Sequence, residues 1–391
     1  MLRTALVLGL LALVGPFAID MYLPAMPGIA TAFGTSETAV QATLTAYFIA
    51  FGAAQLVYGP LADRFGRRPP VFLGLAIFIA GSAGAALAGS IESLIAWRTL
   101  QGLGGAALMV VPRAIVRDLY TGPQATRLMA MIMLVISVSP MLAPLAGSAV
   151  IAFAGWRTIF AVLTAAGLLS LLVTALAQPE TLPPTRRLPI NARALARGAR
   201  QLLGDPGFMG LTLVGGFGMA SFFVFLASAP FVYVRQFGLS PTGFSLAFAI
   251  NAIGFFSASQ AAGYLGDRMG MRSLVRRGTA GFTLCTLVLF ALALAGAATL
   301  PVIVAGLFCA NLCLGVVIPT AMVLALDDHG ENAGLAASLG GTLQMLAGGV
   351  MILAAGPFFD GTALPMLGAI AVCGLAALGL TAAMLPRARI A

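Results

Sequence analysis

Lysine is absent from this 391-residue chain, histidine occurs once, and carboxylate side chains number only 12. Charged residues make up 8% of the sequence, where a soluble domain carries roughly a quarter. With 60% hydrophobic residues and a mean hydropathy of +1.02, most of the surface cannot face water, so lipid is its solvent. The four cysteines, Cys285, Cys309, Cys313 and Cys373, all fall in apolar runs without a neighbouring histidine and are expected to be small buried packers. Neither H-E-x-x-H nor G-x-S-x-G occurs, and His329 lies outside the apolar core, which argues against an intramembrane enzyme. A Walker-type G-x-x-x-x-G-K is also missing, so ATP is not indicated.

What basic charge exists is all arginine, and its placement carries information. A sequence pI near 10.3 could fit a nucleic-acid binder. Apart from Arg98, Arg157 and Arg235, however, the arginines fall at the termini or in every second gap between apolar runs. That is the positive-inside bias of a membrane protein, with lipids and not nucleic acid as neighbours, and it puts both termini in the cytoplasm. Leu6–Pro16 resembles a signal-peptide core, but the apolar run continues past Asp20 without a small-residue cleavage site, so it reads as a first span.

Helices able to cross about 30 Å of hydrocarbon can be drawn at 4–30, 38–61, 70–89, 92–117, 124–153 and 156–177, then at 207–235, 240–265, 274–296, 299–326, 332–357 and 362–385. This predicts an all-α polytopic membrane protein of twelve spans: an N-terminal six-helix bundle (1–178), a cytoplasmic linker (179–205) and a C-terminal six-helix bundle (206–391). In the linker, Pro179, Pro183, Pro184 and Pro189 predict extended chain. Arg193, Arg197 and Arg200, at helical spacing, predict a short amphipathic helix on the anionic inner leaflet.

The halves are related. GPLADRFGRR at Gly59–Arg68 returns as GYLGDRMGMR at Gly263–Arg272, so that Gly59, Asp63, Arg64, Gly66 and Arg68 recur as Gly263, Asp267, Arg268, Gly270 and Arg272, a shift of about 204 places. Gly59 is expected to let helices approach closely, Gly66 to make a tight turn, and Asp63 to face the positive end of another helix.

This loop, with DMYLPAMP at Asp20–Pro27, RTLQGLGGA at Arg98–Ala106 and SPMLAPLAG at Ser139–Gly147, resembles the twelve-span drug:proton antiporters of the major facilitator superfamily, specifically the Bcr/CflA group of bacterial multidrug and amphenicol exporters. The resemblance covers essentially the whole chain. It implies the major facilitator fold with pseudo-two-fold symmetry and a location in the bacterial inner membrane. It also implies a monomer that uses no cofactor beyond the proton gradient. In it, the motif aspartate caps the eleventh span, Arg67 pairs with Asp118, and the loop residues Gly59, Asp63, Arg64, Gly66, Arg67, Arg68, Asp118, Asp267 and Arg268 form a cytoplasmic gate. Pro140, Pro144 and Gly147 match the antiporter signature of the fifth span, where proline bends the helix and glycine allows close packing, expected against the eighth span.

Two membrane charges stand out. Asp20 lies within the first apolar run, where an aspartate costs about 2.5–3.5 kcal/mol on insertion scales, and such a carboxylate is by default a proton or cation site, unless it merely ends a helix at the interface. Arg98 lies about two turns into the fourth run and needs acceptors such as backbone carbonyls, Gln101, Gln55 or Asp20, unless it snorkels to the outer face. The repeat shift places Val224 and Val302 at the equivalent positions, so proton coupling belongs to the first half. Some relatives carry a second acidic residue two turns before Asp20; here that position is Ala12, which implies coupling through one carboxylate, one proton per cycle and neutral cargo.

Candidate cargo contacts are Asp20 itself, Leu44, Tyr47, Phe48 and Phe51 on the second span, Ile132 and Ile136 on the fifth, and Phe222, Phe223 and Leu226 on the seventh, with Asn251 and Phe255 on the eighth. Packing is the alternative for each one; together they suit a broad apolar midplane cavity for small lipophilic compounds. Asn311 and Gln344 are supplementary anchors. A small metabolite such as a sugar, nucleoside or amino acid is the alternative cargo. Asp327, Asp328, His329 and Glu331 are read as echoing the first half's charge relay and not as a metal site.

Overall fold

A computed structural model describes residues 2–187, 189, 191–327, 329 and 333–385. Its helices are α1 (Leu2–Asp20), α2 (Met26–Phe33), α3 (Glu37–Phe65), α4 (Arg68–Ala86), α5 (Ile91–Leu119), α6 (Gly122–Ala154), α7 (Arg157–Ala177), α8 (Ala192–Leu203), α9 (Pro206–Phe231), α10 (Pro241–Met269), α11 (Met271–Leu294), α12 (Leu300–Leu326), α13 (Ala333–Ala355) and α14 (Ala363–Met384). Twelve helices among the described residues are long and apolar enough to span a membrane; α1 and α2 together make the first, and α8 is the extra one.

The first span is not one helix. After Asp20 the chain passes through a turn at Met21–Tyr22 and a 3-10 turn at Leu23–Ala25 before α2 begins. Pro24 and Pro27 cause this, since neither can donate a backbone hydrogen bond and each restricts the residue before it. Asp20 is therefore the last residue of α1, deep in the unit, and not an interfacial helix end.

The chain forms two compact units, Met1–Asn191 and Ala192–Ala391. In the first, α1 packs on α5, α6 and α7, α5 packs on α3 and α4, and α4 packs on α7. In the second, α9 packs on α12, α13 and α14, α12 packs on α10 and α11, and α11 packs on α14. Each pairing of the first unit thus recurs in the second at the corresponding span, so the duplication read from one loop extends to internal packing.

The connecting segment differs from an open hinge. A 3-10 turn at Pro184–Arg186 interrupts the expected extended stretch. Helix α8 forms where the arginines predict it, but Leu202 is buried and a methyl on Gly198 would sit 2.8 Å from Leu335 of α13. Leu202 and Gly198 thus face protein, while Leu203 and the three arginines are exposed. The cysteines also depart from expectation: Cys373 is buried, Cys285 and Cys313 are half-buried, and Cys309 is exposed on a surface that lipid would cover.

Candidate functional site

The motif loop sits between α3 and α4, and its turn requires glycine. Gly66 has φ +94° and Gly270, its echo between α10 and α11, has φ +80°, conformations that a side chain makes costly. Gly59 and Gly263 behave otherwise: a Cβ on either would meet nothing within 4 Å, so the expected close helix approach does not occur there.

Arg67 is the hub of this loop. Its Nε donates to Asp118 Oδ2 at 2.7 Å, Nη2 to Asp118 Oδ1 at 3.1 Å, and Nη1 to Asp63 Oδ1 at 2.6 Å. Burial alone would lower the Arg67 pKa, but the hydrogen bonds and charges of the two carboxylates prevail and raise it. Arg64 lies over the Phe65 ring at 5.1 Å, while Arg68 donates to the Ala175 carbonyl at 3.2 Å.

Glu180, two residues into the linker, was not singled out from the sequence. Its Oε1 accepts the backbone N–H groups of Arg67 (2.8 Å), Leu182 (2.9 Å) and Thr181 (3.0 Å), and its Oε2 accepts that of Arg68 (3.1 Å). The carboxylate thereby caps the positive end of α4. Burial pushes its pKa up, the four backbone donors pull it down, and the net is a lowered value. Thr181 adds a hydroxyl donated to Asp118 Oδ2 at 2.9 Å. A Cβ on Gly66 would lie 2.6 Å from Glu180 Oε2, so the glycine makes room for the cap as well as the turn.

The second copy lacks this hub. Arg67 and Asp118 map to Met271 and Met322, and Arg268 lies over the Tyr264 ring at 4.5 Å. Asp267 and Arg268 are exposed, with no ion pair among the described residues. His329 also fails to echo the relay: its Nε2 is 3.2 Å from Asp205 Oδ2, at the N-cap of α9, and its ring is edge-on to Phe208. Asp328 and Glu331 lie outside the described residues.

Around Asp20 the structure decides between the acceptors that the sequence left open for Arg98. Arg98, 0% exposed, does not snorkel, and neither Asp20 nor Gln55 is its acceptor. Its Nη1 donates to the Ala18 carbonyl at 3.0 Å and to Gln101 Oε1. The guanidinium lies 4.7 Å from the Tyr22 ring centroid, 4.5 Å from Tyr47 and 5.9 Å from Phe160, within cation–π range. Gln101 is held in turn by donating Nε2 to Ser82 Oγ at 2.7 Å, and Tyr22 shares a 2.7 Å hydrogen bond with Thr43. Arg98 therefore grips the backbone two residues before Asp20 and the ring two residues after it.

Asp20, 4% exposed, has one side-chain hydrogen-bond partner among the described residues, the Ser139 hydroxyl at a long 3.5 Å. Ser139 precedes Pro140 in α6, which continues unbroken through Pro144 to Ala154. At Gly147 a Cβ would run into the Met21 carbonyl, so the antiporter segment packs its glycine against the break beside Asp20. The close approach made by Gly147 inside this unit is to the first span.

The family profile of the Major Facilitator Superfamily matches residues 8–352. The chain belongs to that superfamily. An uncharacterized MFS-type transporter, YdgK of Bacillus subtilis (strain 168), is 37% identical over 387 residues, 97% of this chain and 96% of that protein. A bicyclomycin resistance protein homolog of Haemophilus influenzae is 30% identical over 370 residues, 94% and 92% of the two chains. A chloramphenicol resistance protein of Pseudomonas aeruginosa is 36% identical over 278 residues, 70% and 65%. The resemblance to the Bcr/CflA group thus has relatives behind it as well as motifs.

Within this superfamily member, the cargo candidates fall into two groups. In the first unit Tyr47 stacks on Phe51 at 5.8 Å and meets Phe48 edge-on, while Leu44 and Ile132 are buried and Ile136 is half-buried. Tyr47 is committed to Arg98. In the second unit Phe222 stacks on Phe255 at 6.1 Å and touches Phe223 and Phe248; Leu226 is buried. The sequence did not single out Phe225, Phe244, Phe248 and Tyr233, which extend this ladder, because nothing in an apolar run distinguishes one phenylalanine from another. Tyr22 had a usable signal, its place two residues after the membrane aspartate.

Proposed function

We propose that this chain is a proton-coupled exporter of small lipophilic compounds, amphenicols among them, working by alternating access in the bacterial inner membrane with both termini cytoplasmic. The observation that carries the reading is Asp20: a buried carboxylate with no counter-ion among the described residues, placed at a helix break and held by a long hydrogen bond to the antiporter segment. Such a group gains and loses a proton more readily than one locked in an ion pair. Asp20 takes a proton from the outer side and releases it inside; Arg98 fixes the backbone around it. The cluster of Arg67, Asp63, Asp118 and Glu180 supplies a breakable tie at the loop end. Drug cargo is supported by relatives named for bicyclomycin and chloramphenicol resistance, and by aromatic and aliphatic cargo candidates that suit a metabolite less well.

Inside-out vesicles energised with a proton gradient test this. Chloramphenicol accumulation and gradient quenching are expected for the wild type and absent for Asp20→Asn. Uphill accumulation by Asp20→Asn, or no movement by the wild type of any compound in a panel that includes lipophilic cations, would overturn it.

A further inference from the structure

The membrane-spanning part of the second unit is almost free of charge but not of polar atoms. Among the described residues of α9–α14, charged side chains lie only within two turns of helix ends. Four amides sit well inside, Asn251, Gln260, Asn311 and Gln344, and of these the two asparagines are buried. Asn251, 1% exposed, donates Nδ2 to the Ala247 carbonyl at 3.1 Å, and its Oδ1 is buried without a partner. An unsatisfied buried acceptor costs about 1–3 kcal/mol, so its retention calls for a reason. On the next turns of α10, Phe248 and Phe255 flank Asn251, and both rings contact Phe222 of α9.

Phe222 also borders a small cavity that holds the second asparagine. Asn311 of α12 lines it with Ser221, Phe225, Phe282 and Leu314. Its free volume of about 10 Å³ admits little more than one water-sized group. Ser221 donates its hydroxyl to the Gly218 carbonyl at 2.7 Å, which leaves its oxygen able to accept. Phe225 and Phe282 are buried walls, whereas Phe222 is half-buried. The geometry has a hydrophobic face and a narrow polar end, with acceptors but no charge.

We infer that Asn251 and Asn311, both near Phe222, form a subsite that reads an uncharged aromatic compound through a hydroxyl donor inserted beside that ring. A cation would find no counter-charge here, and a purely apolar compound would leave the Asn251 oxygen unpaired. The inference deepens the exporter reading and rests on it for the physiological cargo, but the subsite can be tested by binding alone.

The test uses purified full-length protein in lipid nanodiscs and calorimetric titration with chloramphenicol and its diacetyl ester, in which the hydroxyl donors are blocked. The wild type is expected to bind chloramphenicol about tenfold more tightly than the ester, equivalent to about 1.4 kcal/mol. Asn251→Leu and Asn311→Leu should each reduce that preference toward unity, with unfolding temperatures recorded to show that both fold. Asn251→Gln, which restores an amide, should recover part of it. A preference unchanged in both leucine variants, or no wild-type preference, overturns the subsite. Failure of the exporter reading would look different: binding with the expected preference but no proton-driven transport.

Discussion

Arg98 donates to the carbonyl of Ala18 at 3.0 Å, and this contact, not an ion pair with Asp20, ties the two membrane charges together. Ala18 is one of the four terminal residues of α1 whose carbonyls lack a helical partner; Phe17 receives the Met21 amide, and Ala18 receives the guanidinium. The arginine acts as a side-chain cap at the break that presents Asp20.

A lysine should not replace it. Arg98→Lys keeps the charge but not the planar fork that reaches Ala18 and Gln101 while facing Tyr22 and Tyr47. Transport is expected to be lost in both Arg98→Lys and Arg98→Ala. Arg98→Ala should also destabilise the protein by about 1–3 kcal/mol through the acceptors left unpaired. Thermal unfolding in detergent measures the second effect; equal stability of Arg98→Ala and wild type would contradict the capping role.

Asp20→Glu separates position from chemistry. The longer side chain keeps a carboxylate but shifts it relative to Ser139 and Arg98's grip, so slowed proton-coupled transport is expected, against none for Asp20→Asn. Initial rates in proteoliposomes at matched pH gradients decide between them.

The two loop glycines should differ in what they cost. Gly66→Ala and Gly270→Ala each force an unfavourable φ, worth about 1–3 kcal/mol. Only at Gly66 would the new methyl collide with Glu180. Gly66→Ala should therefore also free the start of the linker, visible as faster tryptic cleavage after Arg186 and Arg187, whereas Gly270→Ala should leave that cleavage rate unchanged.

Acid should have a related effect. The Glu180 pKa is lowered by folding, so its contribution is fully present above the unfolded value of about 4.3 and is lost as pH falls through the lower folded value. Linker protection from an acid-active protease such as pepsin should thus weaken below about pH 4.3. Glu180→Gln should be cleaved readily throughout; an identical pH profile for it and the wild type would remove Glu180 as the cause.

The twelve spans were legible because long apolar runs separated by short arginine-bearing gaps are visible in composition alone. Arg67 and Asp118 were reached through a resemblance, and the second copy's weakness was visible at Met271. The break after Asp20 was less legible: prolines are tolerated within spans, so Pro24 and Pro27 did not signal by themselves that α1 would end. Glu180 stayed hidden because a carboxylate in a proline-rich linker has the composition of a solvated residue, and only tertiary docking makes it a helix cap. Gly59 shows the opposite error, a conserved-looking motif position given a packing role that its surroundings do not require. The aromatic ladder of the second unit was only partly visible, since its members differ from other apolar residues solely in what they face.

The packing of α1 has a consequence for how the chain is made. Its main partners, α5, α6 and α7, are all synthesised later. While the nascent chain emerges, Asp20 enters the membrane before Arg98 exists to fix Ala18 and before Ser139 can offer a hydroxyl. The insertion cost of about 2.5–3.5 kcal/mol for a lone aspartate falls on that interval. Closure of the first unit around Asp20 is therefore completed only when the fourth and fifth spans arrive.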